Sequence, residues 1–313
     1  MAKFAIYNYQ FEKIIESTSN GQKIDFTDGV YKDPDVAFEH RQEIFGQLFP
    51  ETATKELPFQ FWNGAKFHIH RLILPPSHGL VAFRLSNKKR SHRTNEDLQK
   101  IEFDDFPCVT VIIDNRPGIQ RILIEQNQSV FKNIKTVARI LQKAFNKQLM
   151  PNMLKIELYA QYPENAFWDV VKEHKEGFRK VTFHLPYLNL KRLSDTVDGY
   201  LTDARKAFDS SLDFSFSAEK GMRLELNEKN KLQSALTKAI SLTGQPTSKD
   251  KPSIVLVTTG QHPSYIKIGK DAYVTVVIPE PTLKALTSDQ LTIEGDSHWD
   301  ALERKLDTLN NSK

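Results

Sequence analysis

Lysine and arginine side chains, which bind phosphate and carboxylate groups, are concentrated in two segments that contain no Asp or Glu. The first segment, Leu57 to Asn95, carries +7, and the second segment, Gln126 to Ile156, carries +6. Because the whole chain carries only +4, the remaining residues sum to −9. Charge sorted in this way indicates a surface that binds a polyanion, although a row of lysines can also simply face water.

The second segment predicts an amphipathic helix from about Ser129 to Met150, with Ser129 as its N-cap and Pro151 after its end. At 3.6 residues per turn, apolar side chains occupy one face and cations occupy the opposite face. The cations are Lys132, Lys135, Arg139, Lys143 and Lys147. The segment offers no acid as an i,i+4 partner, so the row repels itself, and a nucleic acid along it would relieve that repulsion.

The first segment predicts two strands, Lys66 to Leu74 and Leu80 to Leu85, joined by a proline-rich turn. The following stretch, Ser86 to Asn95, is polar and predicts a mobile basic loop that could clamp a nucleic acid backbone. The alternative is a solvated surface loop without a ligand. The candidate phosphate contacts in this segment are Arg84, Lys88, Lys89, Arg90 and Arg93.

Catalytic patterns in the sequence are weaker than the charge pattern. A restriction-type nuclease needs an Asp on one strand and an Asp/Glu-x-Lys on the next, and the nearest approach is Asp213 with Glu225 to Asn227, where Asn replaces the lysine. A second acidic group, again without the lysine, comprises Asp104, Asp105, Asp114 and Glu125. The sequence therefore predicts no catalytic residue but leaves open a nuclease with scattered carboxylates.

Metal and cofactor sites are not predicted either. His68 and His70 share a strand face, but a zinc site needs three or four ligands and no cysteine pair is available. The chain contains no phosphate-binding glycine motif and no nucleophile elbow. Phe59, Phe61 and Trp62 lie within the first basic segment and could stack on bases, although such residues are more often core.

The order of predicted elements, with hairpins rather than a strict alternation of strand and helix, predicts an α+β protein with mixed, largely antiparallel sheets and packed helices. The local patterns also predict helices at Asp35 to Phe49 and Leu190 to Phe208, a turn at Asp114 to Gly118, and strands at Phe178 to Leu185, Leu212 to Ser217, Met222 to Leu226 and Tyr265 to Ile268.

The 313 residues suggest two lobes, residues 1–187 with the basic segments and residues 188–313 with a β-meander at Ser253 to Ile278. No apolar run reaches 18 residues and no secretory signal is present, so we expect no membrane insertion. The single Cys108 fits a reducing cytoplasm.

The centre of the chain has a characteristic order of elements. Phe106-Pro107 opens an apolar strand, and a tight turn, a strand at Ile119 to Glu125, a helix, a strand at Leu154 to Ala160 and the run Phe178 to Phe183 follow. This order resembles RexA-type phage-exclusion proteins and, more distantly, RdgC-type DNA-binding proteins, over about residues 60 to 220. The C-terminal meander departs from the resemblance.

The resemblance implies a cytoplasmic bacterial defence protein that binds DNA with little sequence preference, as a homodimer, and that is not itself an enzyme. Together with the charge pattern, it predicts a DNA-binding component of an antiphage system that acts with a separate effector protein. The alternatives are a metal-dependent nuclease and a module that docks an acidic partner protein.

Overall fold

The molecule is described by a computed structural model. The described residues are 2–14, 18–19, 22–23, 29–49, 57–64, 66–77, 79–161, 163, 165–185, 212–243, 245–246, 254–259, 263–268, 274–279 and 302–308. They form antiparallel strand pairs and packed helices, which confirms the predicted α+β class. None of the described helices is long and apolar enough to cross a membrane.

The described residues form eighteen strands, most of which are short. Their bounds are β1 (Ala2–Lys13), β2 (Thr18–Ser19), β3 (Gln22–Lys23), β4 (Phe61–Asn63), β5 (Lys66–His68), β6 (His70–Ser77), β7 (Leu80–Ser86), β8 (Lys89–Thr94), β9 (Lys100–Asp105), β10 (Cys108–Asp114), β11 (Arg121–Glu125), β12 (Leu154–Ala160), β13 (Phe178–Leu185), β14 (Leu212–Ser217), β15 (Gln245–Pro246), β16 (Ile254–Thr258), β17 (Tyr265–Ile268) and β18 (Thr275–Ile278). The described helices are α1 (Pro34–Glu39), α2 (Arg41–Gly46), α3 (Ile134–Leu149), α4 (Asn165–Glu173), α5 (Lys231–Thr243) and α6 (302–308).

Contacts divide the chain into two compact units. Unit 1 comprises residues 1–5, 11–156 and 275–313, and unit 2 comprises residues 6–10 and 157–274. The predicted boundary between residues 187 and 188 lies in the segment 186–211, outside the described residues, and stays a prediction. On either side of that segment, β13 and β14 pair with each other in an antiparallel register.

Unit 1 contains a sheet in which β1, β11, β10, β7 and β6 are successive neighbours and β18 pairs with β1. The central strands β7, β10 and β11 are almost entirely buried, as their runs of Val, Ile, Leu and Phe require. The pairing of β18 with β1 corrects the predicted meander, because only β16 and β17 of the three strands pair in sequence. Strand partners are set by tertiary contacts that a local pattern does not contain.

A cluster of phenylalanine rings holds α3 on this unit. The Phe145 ring makes edge-to-face contacts with the rings of Phe45, Phe49, Phe59 and Phe61, at centroid distances of 5.3–6.0 Å. Phe61 in turn stacks on Phe83 of β7 at 5.3 Å. Such pairs add roughly 0.5–1.5 kcal/mol each beyond the area they bury. The cluster therefore joins α2, α3, β4 and β7 through one side chain of α3.

The helix predicted from Asp35 to Phe49 is two helices. α1 begins after Asp33, whose carboxylate accepts from the backbone N–H of Asp35 at 2.7 Å. His40 leaves the helical backbone region, stacks on Tyr31 at 5.1 Å and contacts Glu43 at 3.1 Å. A break of this kind depends on a ring partner earlier in the chain, so helical periodicity alone does not reveal it.

Charged side chains attach α6 to the β10–β11 turn. The Arg116 guanidinium donates to the fully buried carboxylate of Asp114 at 2.9 Å and lies 2.9 Å from a carboxylate oxygen of Asp307. The hydrogen bond to Asp114 raises the pKa of Arg116 above its ordinary value, against the opposing effect of burial. The predicted turn at Asp114 to Gly118 is confirmed, and its arginine links segments nearly 190 residues apart.

Unit 2 contains a second sheet with the order β14-β13-β16-β17. One face of this sheet packs on α4 and α5 through a core that includes Phe167, Trp168, Phe183, Leu236 and Ile240. The predicted strand at Met222 to Leu226 is wrong, since these residues lie in an irregular segment whose Leu224 N–H donates to the carbonyl of Phe178 at 2.7 Å. The helix predicted for Leu190 to Phe208 lies outside the described residues.

The ring cluster gives a stability prediction. Phe145→Ala should lower the free energy of unfolding by about 3–5 kcal/mol, because it removes a fully buried ring and leaves a cavity against four others. Phe103→Ala is the matched control, since the Phe103 ring is 43% exposed and such changes cost about 0.5 kcal/mol. Urea unfolding measures both, and equal losses in the two variants would show that the cluster does not anchor α3.

Candidate nucleic-acid interface

Helix α3 presents a cationic face on unit 1. The helix begins at Ile134 after the N-cap Asn133, whose side chain accepts from the backbone N–H of Lys135 at 2.8 Å. The predicted N-cap Ser129 is wrong, because Ser129 belongs to a turn in which Asn127 accepts from its backbone N–H at 3.1 Å. Both residues are good caps, and the turn at Asn127 decides between them.

The predicted division of α3 into two faces is confirmed. Val137, Ala138, Leu141, Ala144 and Phe145 are buried on the side that carries the ring cluster. On the other side, Lys132, Arg139, Lys143 and Lys147 are exposed and Lys135 is half-buried.

Spacing along α3 is regular. The cations at positions 135, 139, 143 and 147 follow one another at steps of four residues, and each step rises about 6 Å along the axis. Over the four positions the row extends roughly 18 Å. At its far end, the Lys147 ammonium lies 4.9 Å from the centre of the Trp62 ring, which holds the side chain over β4. A row of this length can contact several successive phosphates of one strand.

The two acid-free segments meet at the beginning of α3. The Asn87 side-chain amide donates to the carbonyl of Val130 at 2.7 Å, and the Lys89 ammonium donates to the carbonyl of Ser129. Lys89 therefore contacts the turn that precedes α3, although Ser129 is 40 positions away in sequence.

The predicted mobile loop at Ser86 to Asn95 is wrong. Residues Lys89–Thr94 form β8, which pairs with β9 in a two-stranded ribbon. The register places Lys89 opposite Asp105 and Arg90 opposite Asp104, and Lys88 forms an ion pair with Asp104. His92 lies 3.7 Å from Glu102. Acids from beyond the end of the first segment therefore lie beside its cations, which reduces the positive field of the ribbon.

Arg84 lies apart from the row on α3. It is exposed, and it follows Phe83, whose ring points toward the cluster that contains Phe145. Successive side chains of a strand point to opposite faces, so Arg84 projects from the sheet face that α3 does not cover. Of the predicted contacts, Lys135, Arg139, Lys143 and Lys147 share one side of α3, and Lys132 and the Lys89 contact with Ser129 precede the helix. Arg84, Lys88, Arg90 and Arg93 have other surroundings.

His68 and His70 serve as structural hydrogen-bonding groups. The His70 imidazole accepts from the backbone N–H of Leu57 at 3.0 Å, and His68 is buried with its Nδ1 2.9 Å from the carbonyl oxygen of Ser86. Phe59 and Phe61 are buried in the ring cluster, so they cannot stack on a nucleic acid. Among the described residues, no group of three His, Cys, Asp or Glu side chains could hold a metal ion.

The nuclease candidates do not converge on one point. Asp213 is exposed on β14, where one of its carboxylate oxygens lies 2.7 Å from His184 Nδ1. Glu225 is exposed in the irregular segment before α5. Asp114 is buried and binds Arg116, and one Glu125 carboxylate oxygen accepts from the backbone N–H of Thr110 at 2.8 Å. Each acid therefore has a structural partner or an exposed position of its own.

Comparison with known proteins gives no further assignment. No protein-family model matches the chain, and no curated protein matches it. The resemblance to RexA-type and RdgC-type proteins therefore stays a prediction.

The charge balance of the β8–β9 ribbon can be tested directly. Replacing Glu102 by Gln and Asp104 and Asp105 by Asn should make the protein elute from heparin at higher salt, because the cations of β8 lose their neighbouring acids. The control variant replaces three exposed acids elsewhere, Glu39, Glu43 and Glu173, by Gln and has the same net charge. Identical elution of the two variants would show that the ribbon acids do not neutralise β8.

Proposed function

We propose that this protein binds DNA through the phosphate backbone, with little sequence preference, along the cationic face of α3. The observation that supports this proposal is the row of lysine and arginine side chains at steps of four residues, three of them exposed and Lys135 half-buried, on a helix whose opposite face is fixed in the core. Lys89 contacts the turn that precedes this helix.

The chemistry of the row favours backbone binding over base reading. Three of its four members are lysines, whose compact ammonium groups act as point charges without the bidentate geometry that selects a base. Phosphate contacts of this kind position a protein on a duplex but carry no sequence information. The affinity should therefore come mainly from counterion release and should fall steeply with salt.

The biological setting follows from the resemblance stated above. On that basis we propose a cytoplasmic antiphage defence component that works as a homodimer and, once bound to DNA, acts with a separate effector protein. In this proposal the basic surface supplies the DNA binding, and the effector protein supplies the chemical reaction.

The row on α3 gives a quantitative prediction. Replacing Lys135, Arg139 and Lys143 together by Gln should weaken duplex DNA binding and reduce the slope of log affinity against log salt by roughly 2–3, near 0.9 per lost phosphate contact. The fold should persist, because these side chains lie opposite the buried face of α3. Fluorescence anisotropy with a labelled duplex at several salt concentrations measures the slope.

A control variant that loses the same number of positive charges shows whether the salt dependence of DNA binding comes from the row on α3 or from the net charge of the protein. Arg84, Lys172 and Lys238 lie outside the row, and replacing these three by Gln should leave the salt slope unchanged. An equal reduction of the slope in both triple variants would contradict the proposed surface.

The carboxylates of unit 2 test the nuclease alternative. Asp213→Ala and Glu225→Ala should leave DNA binding intact, and plasmid incubated with the wild-type protein and magnesium should stay supercoiled. Gel electrophoresis of the plasmid gives the answer. Nicking by the wild type that either variant abolishes would replace the proposed function with a metal-dependent nuclease.

A further inference from the structure

The sheet of unit 2 presents a second surface. Its core face carries Val181 and Phe183 toward α4 and α5, so Lys180, Thr182 and His184 of β13 project from the opposite face. Two cross-strand rows follow from the register. Ser217, Lys180, Val257 and Tyr265 form one row, and Ser215, Thr182, Val255 and Lys267 form the other.

This open face forms part of a broad groove of about 2190 Å³ that lies entirely within unit 2. Among its described lining residues are six cations and three carboxylates. The cations are Lys175, Arg179, Lys180, Lys220, Arg223 and Lys229. All six are exposed, so the groove presents a net positive charge to solvent. An anionic ligand therefore matches it.

One of the three carboxylates of the groove, Glu176, has a histidine partner. A Glu176 carboxylate oxygen lies 3.1 Å from His174 Nδ1 at the edge of the groove. The pKa of Glu176 is lowered, first by a hydrogen bond from its own backbone and then by His174. Glu219 and Glu225, the other two carboxylates of the groove, are exposed. The two cross-strand rows themselves consist of hydroxyls, valines, lysines and Tyr265 and include no acid.

An aromatic ring stands at the edge of the same face. The Tyr265 side chain is 69% exposed, which is unusual for a tyrosine on a sheet, and it neighbours Val257 across the strand pair. Neighbouring strands lie about 4.8 Å apart, so Tyr265 is roughly 10 Å from Lys180, two strands away. Val257 is buried, so a planar base would rest on the exposed Tyr265 ring while the exposed Lys180 and Lys267 contact phosphates on either side.

We propose that this open face binds a single-stranded nucleic acid segment, with Tyr265 stacking on a base and Lys180 and Lys267 contacting phosphates. Every base has a π-face, so this binding tolerates sequence, and neither the lysines nor the ring distinguishes ribose from deoxyribose. A duplex fits less well, because its bases are stacked on each other and unavailable to a tyrosine. This proposal rests on unit 2 alone and can hold or fail independently of the row on α3.

The experiment measures the anisotropy of labelled dT12, rU12 and a 12-base-pair duplex with the full chain. Tyr265→Ala should weaken dT12 and rU12 binding about tenfold, within the range found for loss of one stacked base. Tyr265→Phe keeps the ring and should stay within about twofold of the wild type. Replacing Lys180 and Lys267 by Gln should lower the salt slope on dT12 by roughly 1.4, near 0.7 per contact on single strands.

Measurements of duplex binding distinguish the proposal for this sheet face from the proposal for the row on α3. The Tyr265 and Lys180/Lys267 variants should bind the duplex like the wild type, whereas the α3 triple variant should bind dT12 like the wild type. A 5-iodouracil base in the oligonucleotide should cross-link to the peptide that contains Tyr265. Absence of dT12 binding, equal loss in Tyr265→Ala and Tyr265→Phe, or loss only in the α3 variant would each overturn the proposal, whatever the duplex result.

Discussion

Burial of the apolar face of α3 is the interaction on which the arrangement of unit 1 depends. Phe145 contacts four other rings, and Phe61 carries the contact to β7. Once this face is fixed, the rotation of the helix about its own axis is fixed, and its lysines and arginine are directed to solvent. The position of every cation in the row is therefore a consequence of where the phenylalanines pack.

Elements with strong local patterns could be predicted, and elements defined by distant partners could not. Strands β12, β13, β14 and β17 could be predicted with the bounds that the structure shows, because apolar and polar side chains largely alternate along each of them. The ribbon of β8 and β9 was missed, because Lys89 to Thr94 has neither apolar alternation nor a turn signal, and its partner strand supplies the order. The location of β18 beside β1 likewise depends on residues more than 270 positions away.

Absence of acids along the sequence is not absence of acids in space. The first segment contains no Asp or Glu, yet Asp104 and Asp105 reach its cations across the ribbon. The groove of unit 2 shows the converse, since its six cations come from segments that also contain acids and no sequence window reveals them. Among the residues that the structure describes, α3 combines both conditions, because its row is acid-free in sequence and is presented on one side of a regular helix. This difference explains why the candidate surface could be predicted in part from the sequence alone.

The repulsion between the cations of the row on α3 is small compared with the stabilisation that burial of the ring cluster provides. Three i,i+4 pairs of like charge cost about 0.2–0.5 kcal/mol each, or roughly 1 kcal/mol in all. Burial of a single phenylalanine contributes about 1.5–3 kcal/mol, so one ring of the cluster offsets the whole repulsion. The fold can therefore carry the row without difficulty, and Lys147 also contacts the Trp62 ring. A ligand of opposite charge would relieve the remaining repulsion, and a phosphate backbone can do so along the full 18 Å or so of the row.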